Sequence, residues 1–159
     1  MKQDRFLIGI LIGIAALIVL ALVVFFARQD NLVYLPDETP EGVVQNYVVA
    51  LHKRDFEKAY SYLADLPQKP TLEQFHQSFL NHSVDPANAG LEVGETEISG
   101  ESASVSLGVM YNPGDPFSSG YRNAEYAQLL RQNGAWKIKQ MPVNFWAYDW
   151  YLATPFPVK

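Results

Sequence analysis

The sequence predicts an α+β fold: a single N-terminal transmembrane helix, then a domain of about three short helices set against a curved antiparallel sheet. Three observations carry this expectation. Residues 6–27 form an uncharged apolar run of about 22 residues, with no amide and no proline. Residues 39–80 hold three segments with apolar positions at helical spacing, each opened by a capping residue. Residues 91–140 change to strand-like patterning interrupted by tight-turn residues. Helices first and strands afterwards specify an α+β layer rather than a parallel α/β sheet.

The run from Phe6 to Ala27 is long enough for one crossing of a bilayer at 1.5 Å per helical residue. A cleaved signal peptide competes with this reading. It ends in small residues at the cleavage site, whereas this run ends Val24-Phe25-Phe26-Ala27. A core helix of a globular protein would carry a polar face, and this run has none. Lys2 and Arg5 precede the run; Arg28 follows it among Asp30, Asp37, Glu38 and Glu41. Positive charge resists translocation, so the expected topology is single-pass in the cell membrane. The N-terminus is then cytoplasmic, the remainder extracytoplasmic, and lipid contacts residues 6–27. Gly9 and Gly13 share one helix face, a spacing that admits close approach of a partner helix and also arises by chance. The organisation expected is an anchor (1–28), a tether (29–38), a domain (39–141) and an aromatic tail (142–159).

Thr39-Pro40-Glu41 reads as a helix start: a capping hydroxyl, a proline suited to the first turn, and an acid at the positive end of the dipole. Val43, Val44, Tyr47, Val48, Ala50 and Leu51 share its apolar face, with Gln45, Asn46 and His52 opposite or at the edge. Asp55 is expected to cap a second short helix carrying Phe56, Ala59, Tyr60 and Leu63. Thr71-Leu-Glu-Gln74 matches a capping box, opening a third helix with Leu72, Phe75, Phe79 and Leu80 as its inner stripe.

Leu91 to Ile98 is a weak strand, and Ser99-Gly100 a turn. Ser102 to Tyr111 alternates, with Ala103, Val105, Leu107, Val109 and Tyr111 on one side and Ser102, Ser104 and Ser106 on the other. Asn112 to Pro116 is a loop. Tyr121 to Arg131 is a strand by context, Asn133-Gly134 a hairpin turn, and Ala135 to Gln140 the returning strand.

Composition excludes several functions. Beyond Arg28 there are nine Lys and Arg against 16 Asp and Glu, a net of −7. That balance argues against nucleic acid as a partner and against charge-driven binding to anionic headgroups. With no cysteine, disulfides, thiolate catalysis, cysteine metal sites and attachment of lipid to a cysteine are absent. His52, His76 and His82 lack paired ligand spacing, and no cofactor motif is present. Glu92, Glu95, Glu97 and Glu101 do not follow a calcium-loop spacing and read as a charged strand edge.

The stretch Thr39-Pro-Glu-Gly-Val-Val, Tyr47, Ala50-Leu51 and Arg54-Asp55-Phe56-Glu57-Lys58-Ala59-Tyr60 resembles the opening of nuclear transport factor 2-like domains of the exported, anchored bacterial type. Tyr126 with Asn133-Gly134-Ala-Trp136-Lys-Ile138 resembles the last hairpin of that fold. The resemblance covers residues 39–141. It implies a cone-shaped α+β domain with a pocket between helices and sheet. The superfamily includes isomerases, dehydratases and non-catalytic modules.

Helix geometry nominates His76, Tyr47 and Tyr60 as pocket candidates. An enzyme of isomerase or dehydratase type needs an acid or base in an open cavity, and no motif assigns that role. The tail holds Phe145, Trp146, Tyr148, Trp150, Tyr151 and Phe156. It packs on its own domain, docks on a protein partner, or rests at a membrane–water boundary. The function expected is a non-catalytic protein-interaction domain, an accessory or assembly subunit of a larger membrane complex. Its partner would be a membrane protein or a second copy. The alternatives are a module holding a small apolar ligand in the cone pocket, and a pocket enzyme.

Overall fold

The computed structural model describes residues 5–27, 33–111 and 120–152. The chain divides into two compact units, Met1–Leu32 and Val33–Lys159. The first contains helix α1, Arg5–Ala27. Among the described residues no helix is long and apolar enough to cross a membrane. This corrects the expected transmembrane anchor, and with it the single-pass assignment. The reason is length. Side chains are described over residues 8–23, about 24 Å of helix against a hydrocarbon core of about 30 Å. Those side chains are exposed throughout.

The second unit is α+β. Its helices are α2 (Pro40–His52), α3 (Phe56–Ser61) and α4 (Leu72–Leu80), and its strands β1 (Ala89–Ser99), β2 (Ser102–Tyr111), β3 (Tyr121–Gln132) and β4 (Ala135–Gln140). A single 3-10 turn, Pro86–Asn88, leads into β1. Local chemistry starts each helix where the sequence expects. The Thr39 hydroxyl accepts from the Gly42 N–H at 3.1 Å, and Asp55 accepts from the Lys58 N–H at 3.1 Å. Thr71 and Gln74 form the reciprocal box, with bonds of 3.2 and 2.9 Å. Each cap satisfies N–H groups that the first turn leaves without an intrahelical acceptor.

The strands form an antiparallel meander in the order β1-β2-β3-β4. Between β3 and β4, Asn133 and Gly134 adopt φ of 52° and 82°, the left-handed pair that a two-residue hairpin turn requires. Irregularities at Val93/Thr96 and at Gln128/Leu129 shift the register and bend the strands locally. The outer edge of β4 is covered where Ile138 bonds the Tyr62 carbonyl and the Ala64 N–H, both at 2.8 Å. That contact withdraws part of an otherwise open edge from foreign strands.

The core lies between α2 and the inner face of the sheet. Ala103, Val105, Leu107 and Val109 of β2 are buried against Val43, Val44, Tyr47, Val48 and Leu51 of α2. Helix α4 adds Phe75 and Phe79, stacked edge to face with centroids 5.0 Å apart. Its expected four-residue stripe is corrected here: Leu72 and Leu80 are 40% and 56% exposed. Only the central turns of this short helix face the core.

A second correction concerns Asn46. The pattern placed it on the polar side of α2, yet it is 1% exposed. The chain before α2 returns across that side. The Asn46 amide accepts from the Leu35 N–H at 2.7 Å, donates to the Leu35 carbonyl at 2.6 Å, and donates to the Asp37 carboxylate. Gly42 permits this approach, because a methyl group there would collide with the Pro36 carbonyl. The described part of the tether, from Val33, is therefore pinned to the domain. The Asn112–Pro116 loop and Phe156 lie outside the described residues.

Candidate functional site

Tyr47 sits at the middle of α2 and is fully buried. Its hydroxyl donates to the Phe145 carbonyl at 2.6 Å, across 98 residues of sequence. Burial pushes its pKa well above the usual tyrosine value, and the neighbouring Tyr151 adds to this. A phenol so placed stays neutral at physiological pH and acts as a hydrogen-bond donor, not as a base. Tyr60, half-buried on α3, donates to the Pro70 carbonyl at 2.8 Å and lies under the Lys69 ammonium. Both hydroxyls are committed to backbone, so neither is left for a ligand.

His76 is exposed on α4 rather than enclosed among apolar side chains. Its ring packs against Phe56 with centroids 4.7 Å apart. It lines an open groove of about 660 Å³ with Arg54, Asp55, Phe56, Glu57, Leu72 and Glu73. The three pocket candidates are thus not brought together: one is in the core, one bridges to a loop, and one is at the surface. The space between helices and sheet, where the family resemblance implies a pocket, is filled by Tyr47, Phe75, Leu129, Ile138 and Phe145, none more than 1% exposed.

Phe145 supplies more than a ring to that interior. Its carbonyl meets Tyr47, and Trp146 lies 6.2 Å from the Tyr47 ring. Trp150 stacks on Phe75 at 4.9 Å and meets Trp146 edge to face at 5.0 Å. The Tyr151 hydroxyl donates to the Ala64 carbonyl at 2.6 Å, and burial raises its pKa. Of the tail aromatics expected at an interface, Phe145, Trp146 and Trp150 are therefore spent on the domain's own core. Tyr148 is 84% exposed. No heavy atom approaches within 4 Å of a methyl built at Gly9 or Gly13 among the described residues, so that face of α1 is open.

Sequence reasoning missed a polar cluster at the start of the domain. The Tyr62 hydroxyl donates to Asp37 at 3.1 Å, and Asp37 also receives the Asn46 amide. Burial, then the Asp37 charge, raises the Tyr62 pKa. The ring of Tyr34 lies beneath the Lys58 and Lys53 ammoniums, 3.6 and 4.4 Å from its centroid. Asp-to-Asn spacing in one tether gave no periodic signal for this cluster, because its partners come from three separate segments. It also missed that all three histidines line two adjoining surface grooves that share Arg54 and Phe56.

Among the described residues no group of three or more His, Cys, Asp or Glu side chains could hold a metal ion. Glu92 of the acidic stretch pairs with Arg122 at 3.0 Å on the exposed face of the sheet. Every buried side-chain nitrogen and oxygen described has a hydrogen-bond partner, so the interior holds no orphaned group aimed at a ligand.

No family model matches this chain, and no curated protein matches it. Among solved structures it is similar to the solution structure of a SEC-C motif containing protein from Rhodopseudomonas palustris, at 13% identity. That match covers 67% of this chain and 79% of the other, with a TM-score of 0.48, and it carries no argument about function.

Proposed function

We propose that this chain is a non-catalytic protein-interaction module, an accessory or assembly subunit of a larger complex. The observation that carries the reading is the apolar surface of α1. Ile8, Ile10, Leu11, Ile12, Ile14 and Leu17 are 43–67% exposed, and the pattern continues to Val23. Contiguous apolar surface of this kind is costly in water and marks an association site. Gly9 and Gly13 lie on this helix with open space around them, which suits close packing of another backbone. The partner proposed is an apolar helix, from a membrane protein or from a second copy of this chain.

The non-catalytic part of the reading is supported by the inner face of the domain. Its polar groups are tyrosine hydroxyls and an asparagine amide, all committed to structural bonds. The likeness to nuclear transport factor 2-like domains stays a proposal about ancestry and adds no catalytic residue.

Native gel electrophoresis after mild detergent extraction tests the proposal. The expected result is migration as a complex, and Gly9→Leu with Gly13→Leu should shift it toward the monomer. A lone monomer from the native source, or a complex that both leucines leave intact, overturns the assigned association site.

A further inference from the structure

The groove on the far side of Phe56 from His76 differs from its neighbour in charge and shape. It encloses about 390 Å³ between the C-terminal ends of α2 and α4 and the turn into β1. That volume falls within the range of small-molecule sites. Its floor is apolar: Leu51, Phe79 and Val84 are buried, and Phe56 and Leu80 complete the wall. Its rim carries His52, Arg54 and His82.

Charge on this rim is unbalanced. Asp85 is the one carboxylate among the lining residues, and its Oδ1 accepts from the Ala87 N–H at 3.0 Å. Among the described residues Arg54 has no carboxylate within salt-bridge distance. His52 Nδ1 lies 2.9 Å from the Val48 carbonyl. A carbonyl only accepts, so Nδ1 carries the hydrogen and Nε2 is left for another partner. Arg54 and His82 both adopt left-handed backbone, with φ of 57° and 59°. That conformation costs a non-glycine residue free energy, and here two such residues flank the same groove.

An apolar floor under a cationic rim recognises a molecule with an aliphatic body and one anionic head. We propose that this groove binds a medium-chain aliphatic carboxylate, with its chain on Phe56, Phe79 and Val84 and its head on Arg54. The binding is non-covalent and stands apart from the association proposed for α1.

Photolabelling of the full chain tests the site. The probe is octanoate bearing a tail diazirine, and modified residues are located by peptide mass spectrometry. Labelling is expected at residues 51–56 and 79–87, with octanoate competing at about tenfold lower concentration than octanol, the loss of one charge-assisted bond. Arg54→Gln should reduce labelling there about tenfold while leaving labelling of residues 8–23 unchanged. Leu80→Asp, at an exposed position, should do the same by repelling the head and serves if Arg54→Gln disturbs the fold. Labelling confined to α1, equal competition by octanol, or labelling that neither variant lowers overturns the assignment.

Discussion

Replacing Tyr47 with phenylalanine removes one oxygen and keeps the ring. The fully buried hydroxyl donates to the Phe145 carbonyl at 2.6 Å. In the variant that carbonyl is left in the core without a donor, at a cost of about 1–3 kcal/mol. The pH dependence follows from the same bond. Burial raises the Tyr47 pKa above the tyrosine value of 10. Folding therefore favours the protonated phenol, and the stability this contributes is complete below pH 10. It is lost as the pH rises toward and through the folded-state value. With an unfolded pKa of about 10, the loss from this one group reaches about 1.4 kcal/mol at pH 11. Tyr47→Phe should therefore destabilise at pH 7, and its deficit against wild type should shrink above pH 10. Urea unfolding followed by tryptophan fluorescence measures both effects, because Trp136, Trp146 and Trp150 are all buried in this unit. A cost below about 0.5 kcal/mol at pH 7, or parallel pH profiles for the two proteins, would refute the coupling between the hydroxyl and the tail.

Other consequences follow from the same contacts. Asn46→Ala should free the chain around Leu35, raising its chymotryptic cleavage at Tyr34 and Leu35 and costing about 1–3 kcal/mol; Gly42→Ala should give the same cleavage by pushing Pro36 away. Trp150→Ala opens the stack on Phe75 and should cost about 3–5 kcal/mol in the same urea assay. Tyr148→Ala, at an 84% exposed ring, should change stability by less than about 0.5 kcal/mol, and a larger loss would place that ring in the core.

Legibility in the sequence followed the range of the interaction. Thr39, Asp55 and Thr71 act on N–H groups two or three residues away, so their roles follow from spacing alone. The Asn133-Gly134 turn depends on two backbone conformations that those residues favour. The alternation of Ala103, Val105, Leu107 and Val109 reports a single buried face without reference to what covers it. His76 was misjudged for the opposite reason. Helical spacing grouped it with Leu72 and Leu80, but spacing does not say how far the covering layer extends, and it stops short of all three.

The apolar run shows the same division at larger scale. Its helical state is settled by its residues, whereas a crossing requires continuous apolar length, and the described side chains of α1 fall short of it.

By itself, the sequence determined which segments become helix or strand, where each begins, and that the remainder of the chain is acidic and free of cysteine. Only tertiary structure decided that Asn46 is interior, that the tail closes the core, and that the histidines share adjoining grooves. Caps, turns and periodicity are properties of neighbouring residues. Burial of an asparagine, or a bond spanning 98 residues, depends on segments that meet only once the chain has folded.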